Sequence, residues 1–376
     1  MKSTATVMVL LAVMACVGAP PTAGAPKGGG GTLGTGGTLG TVGMSGNGGV
    51  VQGTGGTTVV GSTNSPGTGG IGTPATGGVA GSTHNASLPE GNSGIAAGYP
   101  GDEGIGTDQA VIFADDFESY VEGADVAKRW DNMYQSQLVG IATDSASVLA
   151  GKQALELTLP QQEAELSDAV EKVVSPELDI LFLRYYAKFQ PPYDVVGSSH
   201  NGSSISAHYT VNGQSTPGVP ADGENKFLAN LENWRGDTVT RSPGLLNVYI
   251  YHPEQRSQWG DHFFPTGEVM PNTSLPFDFG AEFEARPDLI PELGRWYSYE
   301  LMVKANTPGQ RDGRIAAWLD GKLVMDFPNL RLRDVAALTI DRFALCYHIK
   351  SNPNGESKRW YDNVVAATSY IGPLTK

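Results

Sequence analysis

The stretch Tyr297-Ser298-Tyr299-Glu300-Leu301-Met302-Val303-Lys304 decides the fold of this protein. Its large apolar side chains alternate with Ser298, Glu300, Met302 and Lys304, and a period of two is typical of a strand with one buried face. Tight turns follow at Pro308-Gly309, Asp312-Gly313 and Asp320-Gly321. The C-terminal third is therefore predicted to be an antiparallel meander.

The strand pattern extends over residues 107–376, and the segment before it has a different composition. Residues 26–106 consist mainly of Gly, Thr, Ser, Val and Asn, with almost no charged or aromatic side chains. Such a segment buries too little apolar surface to offset its ordering entropy, so we predict a disordered stalk. For residues 107–376 we predict an all-β domain of two packed antiparallel sheets.

Three motifs carry a family resemblance. They are Asn306-Thr307-Pro308-Gly309 followed by Asp312-Gly313, then Trp318-Leu319-Asp320-Gly321, and finally Tyr361-Asp362-Asn363-Val364-Val365. These motifs resemble those of the concanavalin A-like jelly-roll polysaccharide lyases, in particular the alginate and glucuronan lyases. The resemblance covers residues from about 110 to 372 and implies a jelly-roll sandwich that acts on a polysaccharide.

The first 25 residues carry an export signal. Lys2 precedes an apolar run from Val7 to Val17, which is too short to span a bilayer and is typical of a signal peptide. Val13-Met14-Ala15-Cys16 resembles a bacterial lipobox, in which Cys16 would be lipidated; ordinary secretion is the alternative. We expect a secreted or envelope-anchored protein that meets a membrane only through this anchor.

The charge of the chain excludes some partners. The formal net charge is -14, which opposes binding to nucleic acid or to an anionic membrane surface. Cys16 and Cys346 give no disulfide framework, because Cys16 lies in the export segment, and Cys346 is expected to be a small buried residue in a strand. A monomer is expected.

Strand alternation also predicts which side chains point away from the core. The apolar residues Leu183, Ile205, Tyr209, Val248 and Leu345 set the phase of their strands. The opposite faces, taken together, are rich in cations and tyrosines, which favours a groove for an acidic or hydroxyl-rich ligand. The set is Arg184, Tyr186, Lys188, His208, Lys226, Asn230, Glu232, Tyr249, Tyr251 and His348.

The resemblance assigns roles within this groove. β-Elimination of a uronate glycan requires a group that neutralises the carboxylate, a base and an acid, and no cofactor. The lyases line their groove with a lysine, an arginine and a Tyr-x-Tyr pair. Lys226, Arg235 and Tyr249-Ile250-Tyr251 match them here, although Asn233 stands where the lyases have serine. We expect Tyr251 or Tyr249 to transfer the proton.

Three further residues complete the predicted site. His208 is the alternative base, since the ordinary pKa of histidine suits proton transfer near neutral pH. His200 is expected on a loop beside the groove, and Trp318 is a candidate stacking platform for a sugar ring.

The two ends of the domain suggest a calcium site. In jelly-roll carbohydrate proteins the first and last strands often lie side by side, with an Asp-Asp-Phe-Glu opening paired with a Tyr-Asp-Asn-Val ending. This resemblance implies a structural calcium ion held by Asp116, Glu118 and Asp362, since that ion prefers oxygen ligands. The alternative is that these carboxylates cap turns.

Two other functions remain open. The same groove could hold a glycan without turnover, as a lectin-like binding module. A glycoside hydrolase is less favoured, because that class on this fold needs Glu-x-Asp-x-Glu on one strand, and Glu232 has Asn230 and Leu228 at the required offsets.

Overall fold

The computed structural model describes residues 87–197, 199–271, 277–352 and 355–376. The predicted signal peptide, the lipobox at 13–16 with Cys16, and the stalk up to residue 86 lie outside the described residues. Within the described part, no helix is long and apolar enough to cross a membrane.

The described residues form an almost entirely β structure, with short 3-10 turns and nineteen strands. In chain order the strands are β1 Val111–Asp115, β2 Asn132–Tyr134, β3 Val139–Ala142, β4 Ala154–Leu159, β5 Leu166–Leu178, β6 Ile180–Phe189, β7 Ser199–His200, β8 Ser203–Ala207, β9 Thr210–Val211, β10 Gln214–Ser215, β11 Phe227–Trp234, β12 Leu245–Tyr251, β13 Asp261–Phe263, β14 Val269–Met270, β15 Tyr297–Lys304, β16 Gly313–Leu319, β17 Lys322–Leu330, β18 Ile340–Ile349 and β19 Ser357–Ala367.

The strands assemble into two large antiparallel sheets. Sheet I has the order β17-β16-β15-β6-β19-β4-β3, with β1 also paired to β19. Sheet II has the order β14-β13-β12-β11-β8-β18-β5-β2, with β7 also paired to β18. The strands β9 and β10 form a separate hairpin. The predicted all-β sandwich is confirmed, and β15 matches the stretch that predicted it residue for residue.

The hydrophobic core lies between the two sheets. Leu183 and Leu301 enter it from sheet I, and Ile205, Val248 and Leu345 enter it from sheet II. These strands therefore have the phase that alternation predicted. The other face of each sheet points away from this core. The sandwich therefore has two separate outer faces, one on each sheet.

Residues 87–107 lie on the outer face of sheet I as a series of 3-10 turns. Ala96 and Ile105 are buried there together with Phe182, Trp318 and Ile371. The backbone N–H groups of Ile95 and Ala96 donate to the carbonyls of Tyr370 and Ile371. The domain boundary predicted at residue 106 is therefore too late, because this segment is packed onto the sandwich.

Candidate functional site

A row of rings crosses the outer face of sheet II. Tyr249 on β12 lies opposite His262 on β13 in the strand register, and their ring centroids are 4.9 Å apart. The ring of His200 on β7 lies 4.7 Å from that of Tyr249 on the other side. We call these three residues the His200–Tyr249–His262 row. Most of it is buried, and His262 keeps 15% of its side chain exposed.

The tautomer of His262 is set by its neighbour Asn247. The Nδ1 atom of His262 lies 2.9 Å from Asn247 Oδ1, and the Asn247 amide nitrogen donates to the carbonyl oxygens of Leu245 and Glu232. Because an amide oxygen only accepts, Nδ1 of His262 must carry the hydrogen. Burial lowers the pKa of His262 to about 3, so the ring is neutral. Its Nε2 therefore has a lone pair.

His200 forms a close pair with Glu232. Its Nδ1 lies 2.5 Å from Glu232 Oε2, and both side chains are buried. Burial lowers the pKa of His200 to about 3 and raises that of Glu232 well above its usual value. Both shifts favour a neutral pair in which the acid of Glu232 donates to Nδ1. Nε2 of His200 then carries a hydrogen, and it has no partner within the described part of the chain.

Tyr249 is held as a protonated phenol. Its hydroxyl oxygen accepts a hydrogen bond of 2.9 Å from the backbone N–H of Gly260. Burial is the largest cause that raises its pKa well above the usual value, and Tyr251 and Tyr209 add to the shift. A side chain at position 260 would collide with the carbonyl of Ile250, since a Cβ there would lie 2.5 Å from that oxygen. Glycine thus permits the approach that orients the phenol.

The segment 216–218, which follows the β9–β10 hairpin, covers Tyr251 and Lys226, two of the residues predicted to be catalytic. The hydroxyl of Tyr251 accepts from the backbone N–H of Gly218 at 3.1 Å. The ammonium of Lys226 donates to both oxygens of Thr216 and lies 4.6 Å and 4.5 Å from the ring centroids of Tyr209 and Tyr251. Lys226 and Tyr251 are therefore on the predicted face, but they are sealed under this segment.

Two other predicted residues extend the row. The ring of His348 stacks on His200 at 5.4 Å between centroids, and its Nδ1 hydrogen-bonds to Ser167. Burial lowers the pKa of His348 well below its usual value. Asn230 is buried beside Glu232, and its Oδ1 has no hydrogen-bond partner in the part of the chain that the structure describes.

The prediction was wrong about Arg184, Tyr186 and Lys188, because β6 belongs to sheet I. Their outward phase is correct, but it directs them to the outer face of the opposite sheet. Arg184 forms an ion pair with Asp102, and the Tyr186 hydroxyl accepts from the backbone N–H of Leu374. Lys188 lies 5.0 Å from the ring centroids of both Trp296 and Trp360.

Trp318 also does not lie where its predicted role as a stacking platform would require. It lies on β16 of sheet I, is fully buried, and donates from Nε1 to the carbonyl of Pro89 at 2.8 Å. Phe182 and Tyr370 pack against its ring. It therefore anchors the segment 87–107 and offers no platform to a sugar.

His208 and Arg235 lie apart from the row. His208 has a positive φ of 49°, which breaks the alternation at the end of β8 and turns Tyr209 toward Tyr251. The imidazole of His208 pairs instead with Glu177 at 3.1 Å near the surface. The guanidinium of Arg235 is engaged by Asp194 and by the carbonyls of Thr240 and Thr238.

The sequence reading missed His262 and Asn247 as partners in one site. Phe263 packs in the core, so His262 must face outward from the three-residue strand β13. A strand this short shows too little alternation to be recognised from periodicity. Asn247 lies two residues before Tyr249 on β12 and so shares its outward face, but its role depends on a histidine from another strand.

The carboxylates of the predicted calcium site hold backbone N–H groups. Glu118 accepts from Lys152 and Gln153, and Asp362 accepts from Leu149 and Ala150. Asp116 accepts from the N–H of Glu118. In the described ranges no group of three His, Cys, Asp or Glu side chains could hold a metal ion. These hydrogen bonds agree with the alternative that the carboxylates cap turns, and calcium binding stays a prediction.

Comparisons with known proteins concern the fold. A double mutant of the alginate lyase Aly36B in complex with an alginate trisaccharide matches with a TM-score of 0.51 and 19% identity over 70% of this chain and 100% of that one. Aly36B itself gives a TM-score of 0.50 and 19% identity over 69% and 98%. The protein has the fold of the jelly-roll polysaccharide lyases.

The endo-β-1,4-glucuronan lyase from the fungus Trichoderma reesei matches with a TM-score of 0.43 and 15% identity over 69% of this chain and 96% of that chain. No protein-family model and no curated protein matches the sequence. At these identities the likeness is one of fold alone.

Proposed function

We propose that this protein is a polysaccharide lyase that cleaves a uronate-containing glycan by β-elimination outside the cytoplasm. The extracytoplasmic location rests on the apolar run after Lys2 and on the lipobox-like Cys16. The reaction rests on the lyase fold and on the groups that the outer face of sheet II presents.

His262 is the base in this proposal. Its Nδ1–H is directed to Asn247, so the lone pair of Nε2 is available to take the C5 proton of a uronate residue. The ring is the most exposed of the row, which suits contact with a substrate. Asn247 acts as a positioning residue because it fixes the tautomer.

Tyr249 is the acid. Burial keeps its phenol protonated, and the N–H of Gly260 already occupies one lone pair of the hydroxyl oxygen. Its own hydrogen is directed to the hydroxyl of Tyr251, and in the reaction it turns to the departing glycosidic oxygen. The opposite assignment, in which tyrosine acts as a phenolate base, would need an accessible cation, and Lys226 is engaged by Thr216.

The observation that carries the proposal is the spacing of the row. The rings of His262 and Tyr249 lie 4.9 Å apart on adjacent strands, so a base nitrogen and an acid hydroxyl meet on one surface. β-Elimination needs such a pair, because one bond loses a proton and the neighbouring bond gains one.

The test is incubation of the purified protein with a panel of uronate polysaccharides while the ultraviolet absorbance of the unsaturated product is followed. Growth of this absorbance in the parent, and its loss in Tyr249→Phe, is the expected result. A parent that releases only saturated reducing ends would contradict elimination.

A binding module without turnover is the second candidate, and the burial of the row favours it. His200 and Tyr249 keep only 2% and 3% of their surface exposed, which limits the access of a long glycan chain to the row.

A glycoside hydrolase is not supported. A hydrolase would need a second carboxylate near Glu232, and Glu171 is the other buried glutamate on sheet II that the register relates to β11. Glu171 lies level with Asn230 but three strands away, a distance of about 14 Å, which is too far for the two carboxylates to act as a pair.

A further inference from the structure

Within the described residues, the strands of sheet II offer no unpaired lysine or arginine that could neutralise the carboxyl group of a uronate. Apart from histidines, the described strands of sheet II contain two cations, Lys172 and Arg342. Lys172 pairs with Asp131 at 3.1 Å, and Arg342 pairs with Glu171 at 2.7 Å. Both lie away from the His200–Tyr249–His262 row, and both are already balanced by a carboxylate.

The cations at the two ends of β11 are engaged as well. Lys226 precedes the strand and is only 2% exposed, with its ammonium against Thr216 and two tyrosine rings. Arg235 follows the strand and is paired with Asp194. Lys350, just after β18, interacts with Glu165, whose carboxylate lies 3.9 Å from Nε2 of His348. Each of these five cations is thus engaged, and a carboxylate that relied on them in the row would lose water without gaining a free counter-charge, which is costly in a buried site.

The row offers a neutral hydrogen-bond donor instead. Nε2 of His200 is buried and unpartnered, and it carries the ring hydrogen when Glu232 donates to Nδ1. Such a donor suits an uncharged carbonyl oxygen. When the C5 proton leaves, negative charge develops on that oxygen, and a fixed N–H then stabilises it.

We propose that the site takes a glycan in which the uronate carboxyl group is esterified, in preference to one with free carboxylates. This inference rests on the proposed lyase function. An ester has no charge to be neutralised, and its carbonyl can accept from His200. It also makes the neighbouring C5–H more acidic than a carboxylate does.

The elimination is balanced within this site. Nε2 of His262 takes the C5 proton, and the electron pair of that C–H bond forms the C4=C5 double bond. The C4–O glycosidic bond breaks, and its oxygen receives the hydrogen of the Tyr249 hydroxyl. Proton exchange with water restores both residues, and the reaction needs no oxidant or reductant.

The experiment uses matched substrates that differ only in the ester. Methyl-esterified polygalacturonate is compared with the same preparation after de-esterification, and methyl-esterified alginate with alginate. We expect kcat/KM to be at least about tenfold higher for the ester of one or both pairs. Equal or faster cleavage of the free polyuronates would overturn the inference and leave the lyase function intact.

A binding measurement separates the two ideas when no turnover is seen. Calorimetric titration with short esterified and free oligouronates should show tighter binding of the ester by about tenfold or more. Ester preference without turnover would support the substrate class and contradict the lyase function. Absence of both preference and turnover would overturn both.

A substitution at the open end of the row adds an independent check. Trp234 is half-buried, and its ring lies 5.5 Å from that of His262. Trp234→Arg places a cation there and should shift the preference toward free carboxylates, whereas the neutral control Trp234→Gln should not. An unchanged preference in a folded Trp234→Arg protein would count against the electrostatic argument.

Discussion

Arg184 Nη2 lies 2.5 Å from Asp102 Oδ2, and this ion pair joins the segment 87–107 to the middle of sheet I. The side chains are 0% and 6% exposed. The second terminal nitrogen of Arg184 donates to the carbonyl of Asn363. A segment that looked like the end of a linker therefore supplies the carboxylate that forms an ion pair with this buried guanidinium. Glu300, the register partner of Arg184 on β15, adds a second electrostatic interaction.

Asp102→Ala should destabilise the domain by about 3–5 kcal/mol, because it removes the carboxylate in direct contact with a buried guanidinium. The measurement is chemical denaturation followed by tyrosine and tryptophan fluorescence. Glu103→Ala is the matched control, since that neighbour is exposed, and it should change the free energy of unfolding by less than about 0.5 kcal/mol. Equal effects of the two substitutions would contradict the role of the ion pair.

A protein that begins at residue 107 should be less stable and more prone to aggregation than one that begins at residue 87. The shorter chain uncovers Trp318, Phe182 and Ile371, which now pack against Ala96 and Ile105. Thermal unfolding and size-exclusion chromatography of both chains provide the measurement. Identical midpoints and elution would show that this packing contributes nothing.

His262→Gln should lower kcat by about 10²-fold or more while the protein stays folded, since glutamine can still donate to Asn247 but cannot act as a base. His208→Gln is the control, because His208 lies near the surface beside Glu177 and should be dispensable. The readout is initial rate with the best uronate substrate. A larger loss in the His208 variant would return the base to His208, the alternative that the sequence offered.

The acid limb of kcat/KM should lie well below pH 6.5. A base with the ordinary histidine pKa is protonated below that pH, whereas burial lowers the pKa of His262 to about 3. The ring therefore stays neutral, and active, through the range from 6.5 down toward 3. Rates measured between pH 4.5 and 8 should not halve near 6.5; a half-loss at that pH would place a solvated histidine in the reaction.

Lys226 should make stability depend on pH above neutrality. Burial lowers its pKa to about 7 from the usual 10.5. Between these values the unfolded chain binds the extra proton, so the contribution of this group to stability rises with pH and is lost as pH falls toward 7. Lys226→Met should flatten the rise between pH 7 and 10 in denaturation experiments. An unchanged slope would mean that the ammonium stays charged in the fold.

The sequence alone determined the fold class and the phase of most long strands. Tyr297–Lys304 became β15, and Leu183, Ile205, Val248 and Leu345 entered the core as alternation required. This succeeds because a strand with one buried face must repeat its apolar side chains every second residue. The pattern is local, so it can be read without knowing any partner strand.

Only the tertiary structure decided which outward faces belong together. Arg184 and Tyr249 both point away from the core, but β6 and β12 lie in opposite sheets, so the two side chains occupy opposite surfaces. Alternation gives a direction relative to the core and carries no information on sheet membership. That membership is set by long-range strand pairing.

The tertiary structure also decided how the site is built. His262 meets Tyr249 because β13 pairs with β12, and the positive φ of His208 ends the alternation that had placed it in the groove. Asp102 reaches Arg184 across 82 residues of chain. The sequence contains each of these side chains, but proximity between distant residues follows from packing and hydrogen bonding that no local pattern encodes.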